Sequence, residues 1–152
     1  MPERSVVHTT FVLDRAYPVP VARVFAAWST IEGKSRWFVG GPEWKQIVRE
    51  MDFRVGGRER LVGKGESGTT TDFDAHYLEI VPDERIIYSY NMFHNDIRLS
   101  VSLATIEFKR GPTGTRLIVT EQGAFLDGVH KPEGREQGTG ILMDRLGASL
   151  QD

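Results

Sequence analysis

The residues in this sequence that could do chemistry are one carboxylate and two tyrosines, which strand alternation can bring to one side of a sheet. In the segment T-R-L-I-V-T-E, Glu121 shares a face with Leu117 and Val119. In R-I-I-Y-S-Y-N-M, Tyr88 and Tyr90 also share a face. A carboxyl group beside phenol hydroxyls in an apolar cavity can have a raised pKa and act as an acid or a base. Glu121, Tyr88 and Tyr90 are therefore the candidate catalytic residues.

The same pattern also has a purely structural interpretation, and it is the one that the sequence favours. Glu121 would then lie at the solvated end of its strand. Tyr88 and Tyr90 would fill the core, with their hydroxyl groups hydrogen-bonded to other groups.

Four large aromatic residues follow the first predicted strand: Trp28, Trp37, Phe38 and Trp44. They either seal a hydrophobic core or supply the apolar lining of a ligand pocket. The two roles are compatible, and the sequence does not separate them.

The stretch G-K-G-E-S-G at positions 63–68 has the spacing of a dinucleotide-binding loop. Such a loop must open a helix, whose N-terminal N–H groups meet the phosphates. Here T-T-T-D-F-D-A-H-Y follows, which is typical of a strand. Lys64 also precedes glycine rather than Ser or Thr, so the pattern of a Walker loop fails. We predict a flexible hairpin loop.

Metal and nucleophile chemistry find no support in the sequence. There is no cysteine, and the four histidines, His8, His76, His94 and His130, are far apart and form no H-E-x-x-H pattern. No G-x-S-x-G motif is present either. We predict neither a metal site nor a cofactor.

The elements that must position these residues follow from periodicity and from Gly, Pro, Asn and Asp punctuation. A strand at 6–15 precedes two short helices, the first beginning after Pro20 and the second at 30–38. Six β-like segments then follow with short connections, which indicates an antiparallel meander. They lie at 43–55, 58–63, 69–81, 85–92, 97–109 and 115–122, and a helix is predicted over 132–150.

The C-terminal helix carries an unusual number of glycines, at positions 134, 138, 140 and 147. Glycine inside a helix costs about 0.5–1 kcal/mol relative to alanine, so several together need a reason. Either the helix backbone closely approaches another surface, or 134–140 is a frayed entry and the helix begins near Thr139.

Composition indicates one ordinary globular domain over residues 1–152. The content is 39% apolar and 26% charged, and the net charge is −2. This charge balance gives no excess of basic residues that would indicate nucleic-acid binding, and no apolar run is long enough to span a membrane. With no secretion signal recognised, the sequence predicts a cytoplasmic protein.

A set of motifs in a fixed order then points to a known family, which the chain resembles over nearly its whole length. The motifs are Pro20, Val24, Phe25 and Trp28; Trp37 before Gly40-Gly41-Pro42; Gly56-Gly57; Tyr77 to Pro82 with Glu84-Arg85-Ile86; Thr115-Arg116-Leu117 with Glu121; Glu133-Gly134; and Leu142, Leu146 and Leu150. The arrangement resembles the START-like (SRPBCC) helix-grip superfamily, in the group similar to activator of Hsp90 ATPase homologue 1. The chain departs at Arg135, where members often have tryptophan.

The resemblance implies an α+β helix-grip fold, in which a curved antiparallel sheet of six to seven strands wraps around the long C-terminal helix. The superfamily includes carriers of hydrophobic ligands as well as cyclases and hydrolases, so the fold transfers better than the function. We expect a small hydrophobic or aromatic ligand to bind between the sheet and the helix. The ligand-binding residues expected are Trp28, Trp37, Phe38, Trp44, Tyr88, Tyr90, Leu117, Val119, Glu121, Leu142 and Leu146.

Two alternatives from other classes remain. One is a polyketide cyclase-like or hydrolase-like enzyme that uses Glu121 with Tyr88 or Tyr90. The other is a chaperone-associated interaction module of the Hsp90 co-chaperone kind, which ranks lowest. A homodimer is compatible with an exposed sheet face, although the sequence does not demand one.

Overall fold

The computed structural model describes residues 3–151 of the chain. Seven strands and three helices follow one another in the order β1–α1–α2–β2 to β7–α3. Their bounds are β1 Val6–Tyr17, α1 Val21–Ser29, α2 Ile31–Lys34, β2 Lys45–Met51, β3 Arg58–Lys64, β4 Thr70–Val81, β5 Arg85–His94, β6 Ile97–Arg110, β7 Thr115–Leu126 and α3 Pro132–Ser149.

The seven strands form one antiparallel sheet in the order β1-β7-β6-β5-β4-β3-β2. Strands β2 to β7 are a meander, and only β1 is placed out of sequence order, beside β7. The helices pack on one curved face of this sheet, where the core lies. The predicted α+β helix-grip fold is therefore confirmed.

Strand register explains how Glu121 reaches the tyrosines. Across the adjacent strands β5, β6 and β7, Tyr88 lies opposite Ala104, and Ala104 lies opposite Glu121. All three point to the core side and are at most 8% exposed. Because Ala104 is small, side chains from β5 and β7 can meet above β6.

The second helix is much shorter than the predicted 30–38 segment. Thr30 caps it by accepting a hydrogen bond from the Gly33 N–H at 3.0 Å, and it ends at Lys34. The chain then turns, so that the Trp37 indole enters the core and donates to the carbonyl of Ala27 at 2.9 Å. Tertiary packing of Trp37 has overridden the local helical pattern.

The C-terminal helix begins at Pro132, so a frayed entry up to Thr139 is wrong. Near its other end the helix does approach another surface closely. A Cβ at Gly147 would lie 3.0 Å from the ring of Tyr17, whose hydroxyl donates to the Met143 carbonyl at 2.9 Å. At Gly138, by contrast, a Cβ would meet nothing within 4 Å.

The glycine motif at 63–68 joins β3 to β4, which pair antiparallel, as a hairpin loop requires. Gly68 has a φ of 86° and closes the turn by donating its N–H to the Gly65 carbonyl at 3.0 Å. Gly63 has a different reason: a Cβ there would overlap the indole of Trp44, which lies on the glycine backbone. Gly68 therefore allows the turn between the two strands, and Gly63 allows the close approach of Trp44.

None of the helices within residues 3–151 combines the length and the apolarity that crossing a bilayer requires.

Candidate ligand-binding site

A cavity of about 350 Å³, here called the main cavity, lies between the core face of the sheet and α3. It is open to solvent beside Gly138 and the half-exposed Ile141. Its walls are mostly apolar, and aromatic side chains come from the α1–β2 region and from β4 and β5. The apolar walls are formed by Trp28, Trp37, Phe38, Phe73, Met92, Val119, Leu142 and Met143.

One end of the main cavity is polar. The Tyr90 hydroxyl is hydrogen-bonded to the Glu121 carboxylate, and both side chains are buried. From α3, the Arg135 guanidinium donates to the Tyr90 hydroxyl at 2.9 Å and to the Ser100 hydroxyl at 2.8 Å. Its Nη1 lies 3.8 Å from the nearer Glu121 oxygen. A carboxylate, a phenol and a guanidinium therefore converge on one point of a mostly apolar chamber.

Burial sets the protonation of this group. Desolvation raises the pKa of Glu121, although the Tyr90 hydrogen bond and the Arg135 charge oppose the shift. Desolvation also raises the pKa of Tyr90, so its hydroxyl remains a neutral hydrogen-bonding group. The pKa of the Glu121 carboxyl therefore lies above that of an exposed glutamate.

Arg135 is held in place by ring stacking as well as by hydrogen bonds. Its guanidinium carbon lies 5.6 Å from the ring centroid of Tyr90 and 5.1 Å from that of Phe125, and only 10% of the side chain is exposed. A planar guanidinium stacks on aromatic faces and keeps its charge when buried.

A second space of about 270 Å³, the side cavity, adjoins the main cavity. The two share part of their walls, including Phe38, Phe73 and Arg135. Two imidazoles border the side cavity, His94 at the end of β5 and His130 before α3, with ring centroids 5.8 Å apart. Burial lowers the pKa of both histidines, and the nearby Arg135 charge lowers it further.

The structure brings together most of the residues that the sequence singled out. Eight of the predicted ligand-binding residues line the main cavity: Trp28, Trp37, Phe38, Tyr88, Tyr90, Val119, Glu121 and Leu142. Trp44 lines the side cavity. Leu117 and Leu146 lie instead in the closed core, each 0% exposed. Glu121 is 5% exposed, so it does not lie at a solvated strand end.

Sequence reasoning missed a buried ion pair behind the aromatic wall of the main cavity. The Lys34 ammonium lies 2.6 Å from a Glu59 oxygen, with 2% and 4% of the side chains exposed. The Tyr77 hydroxyl is hydrogen-bonded to the same carboxylate. The one available signal was alternation, because Glu59 shares a strand face with Leu61. Long charged side chains are almost never fully buried, which argues against such an assignment from sequence.

The ammonium of Lys34 also lies against four rings that face the cavity. Its distances to the ring centroids are 4.8 Å for Phe38, 5.5 Å for Trp28 and Tyr88, and 5.9 Å for Phe73. Desolvation lowers the pKa of Lys34, and Glu59 opposes that shift. The pair thus connects α2 to β3 directly beneath the cavity wall.

Within residues 3–151, no three His, Cys, Asp or Glu side chains come together in a way that could hold a metal ion.

A long C-terminal helix held by a curved antiparallel sheet, with space between them, defines the START-like helix-grip class of proteins. Residues 18–151 match the family model described as Activator of Hsp90 ATPase homolog 1-like protein. The chain therefore belongs to that family. Among the curated proteins, none matches it.

Solved structures with the same fold span nearly the whole chain. A protein of Rhizobium leguminosarum is 44% identical, with 98% of each chain covered and a TM-score of 0.94. The Mll3558 protein of Rhizobium loti is 42% identical, covers 95% of this chain and 99% of its own, and has a TM-score of 0.88. An AHSA1-like protein of Aeromonas hydrophila, 17% identical over 94% and 92% of the two chains, shares the fold with a TM-score of 0.70.

Proposed function

We propose that this protein binds a small, mostly apolar or aromatic molecule in the main cavity. The observation that carries the proposal is the composition of the cavity wall, in which apolar and aromatic side chains surround one convergent polar group. Ligand pockets have this composition, and their volumes are roughly 300–1,000 Å³. A closed core would have filled this space with side chains at crystal-like density.

The position of the glycines in α3 also supports this function. Gly134 and Gly138 are one helical turn apart, both line the main cavity, and both are exposed. Side chains at these positions would stand in the cavity mouth. The helix thus bears the cost of two glycines where an opening is needed.

The G138L variant is expected to weaken binding of N-phenyl-1-naphthylamine, a neutral apolar fluorescent probe, at least about tenfold. The leucine narrows the mouth, while the helix gains about 0.8 kcal/mol of propensity because glycine is removed. Fluorescence titration measures the affinity, and thermal unfolding checks that the fold is intact.

Gln137 provides the matched control for that variant, because it is exposed on the same helix and does not line the main cavity. Q137L should bind the probe as the wild type does. Equal binding by wild type and G138L, or none by wild type, would contradict the proposed site. Native mass spectrometry of the protein from its own host would then show any retained molecule and the number of subunits.

Acid–base catalysis at the same site is a second candidate function, and one observation favours it. Glu121 is buried beside a tyrosine hydroxyl inside the cavity, and desolvation raises its pKa. A buried carboxyl with a raised pKa can serve as a general acid or base. Binding ranks first because the carboxylate is already occupied by Tyr90.

The protonation of Glu121 is testable through stability. Since its pKa is raised in the folded state, the folded protein binds more protons than the unfolded chain above the ordinary pKa of 4.5. The free energy of unfolding should therefore fall as pH rises from 4.5 towards the raised value, by at most about 1.4 kcal/mol per pH unit. Urea denaturation at several pH values measures this slope. An E121Q variant with the same slope as wild type would exclude a shifted Glu121.

A further inference from the structure

We propose that the ligand of the main cavity is an apolar carboxylic acid whose carboxylate is bound at the Arg135 end. This inference rests on the proposed function and names the chemical class of its ligand. It follows from the balance of charge around the cavity and from the donors that Arg135 leaves unused.

The ionisable groups that face the cavity carry an excess of positive charge. Helix α3 contributes the guanidinium groups of Arg135 and Arg145. The imidazoles of His130 and, in the side cavity, His94 add hydrogen-bonding groups rather than charge, because burial lowers the pKa of both. Opposite them, the sheet offers a single carboxylate, Glu121, together with neutral tyrosine hydroxyls. The Lys34 ammonium adds positive potential from behind the wall, although Glu59 offsets it. An anionic group is therefore the complement that the chamber lacks.

Arg135 has the capacity to bind that group directly. A guanidinium has five N–H donors, and the described partners of Arg135, Tyr90 and Ser100, take two of them. The hydrogen bonds to Tyr90 and Ser100 and the contacts with the Tyr90 and Phe125 rings hold the guanidinium in place, so the fork is preorganised. A preorganised guanidinium fork suits the two oxygens of a carboxylate.

Glu121 does not neutralise this site fully. Its nearer oxygen is 3.8 Å from Arg135 Nη1, too long for a hydrogen bond, and the Tyr90 hydroxyl lies between the two groups. An incoming carboxylate would therefore accept from the N–H groups of Arg135 that Tyr90 and Ser100 leave unused.

The test compares two probes of one shape, 2-naphthoic acid and its neutral isostere 2-naphthamide, by calorimetric titration at neutral pH. Wild type should bind the acid about tenfold or more tightly than the amide, because charge-assisted hydrogen bonds are the stronger ones. The R135M variant should lose this preference, so that the ratio of the two affinities falls towards one. R36M, which removes one exposed arginine charge outside the cavity, should keep the preference.

The E121Q variant sharpens the test, since it removes the one competing carboxylate and keeps a hydrogen-bonding oxygen for Tyr90. It should prefer the acid over the amide by a larger factor than wild type does. If wild type binds both probes with equal affinity, the carboxylate proposal is wrong while the proposed function stands. If R135M retains the preference for the acid, Arg135 is not the binding group. Failure of both probes to bind wild type would count against the cavity itself.

Discussion

The K34M variant is expected to lose about 3–5 kcal/mol of unfolding free energy, because it leaves the Glu59 carboxylate buried without its cation. Methionine preserves most of the volume of the lysine stem, so the loss reports charge rather than a cavity. The Tyr77 hydroxyl remains as a partner of Glu59 but cannot neutralise it. Urea denaturation at neutral pH measures the change.

The deficit of K34M should also depend on pH. Without Lys34, the charged form of the buried Glu59 carboxylate has no cation beside it and is destabilised by desolvation, and protonation relieves that penalty. The deficit of K34M relative to wild type should therefore shrink in mild acid. A deficit that does not change with pH would contradict an unpaired buried carboxylate.

Two further variants separate the pair from ordinary surface charge. The triple variant K34M/E59L/Y77F removes all three polar partners, and it should recover most of the lost stability, as apolar replacements of buried ion pairs do. On the same strand, Arg58 forms a two-bond ion pair with Asp74 but is half exposed. The R58M variant should therefore lose no more than about 1 kcal/mol of unfolding free energy. A K34M loss as small as that of R58M would show that the Lys34–Glu59 pair is solvated.

The fold was predictable because the spacing of apolar residues indicates helices and strands, and Gly, Pro, Asn and Asp mark the turns between them. Strand alternation placed Glu121 correctly on the face of Val119, and turn residues marked every hairpin of the meander. The errors arose where tertiary contacts override local pattern. The segment after Lys34 reads as helix, but it is drawn into a turn by the insertion of Trp37.

The polar end of the candidate site was less predictable than its walls. Tryptophan, phenylalanine and tyrosine are usually buried, so their type alone predicts a position in the cavity wall. Arginine and lysine are usually exposed, so the burial of Arg135 and Lys34 was not predictable from residue type. Their burial depends on partners far away in sequence, such as Ser100 for Arg135 and Glu59 for Lys34. Glu121 and Tyr90 were identified by strand alternation, but for Arg135 the one signal was the family resemblance, which led us to expect tryptophan at that position.

The helical repeat of leucines shows the same limit, and it leads to the last prediction. A step of four residues advances about 40° beyond one helical turn, so Leu142, Leu146 and Leu150 do not face the same surroundings. Leu142 lines the cavities, whereas Leu146 is 0% exposed in the core and Leu150 is 4% exposed. From the sequence and the family resemblance, Leu142 and Leu146 were both expected to bind the ligand.

The L146A variant is accordingly expected to lose about 2–5 kcal/mol of unfolding free energy, because it leaves a new hole in closely packed core. L142A should lose clearly less, since part of its side chain already borders open space. Their effects on ligand binding should be reversed. L142A enlarges the cavity and should change the affinity for N-phenyl-1-naphthylamine, whereas L146A, measured where it remains folded, should not.

Urea denaturation and probe titration on the same two proteins decide the question. Both substitutions make the same chemical change on one helix, so differences in helix propensity cancel and only the surroundings differ. If L142A loses as much stability as L146A, the space beside Leu142 is filled in solution and the main cavity is absent. If L146A alters probe binding while L142A does not, the ligand lies deeper, on the core side of α3. The expected pattern, stability lost at Leu146 and affinity altered at Leu142, requires an open cavity on the face of α3 that Leu142 occupies.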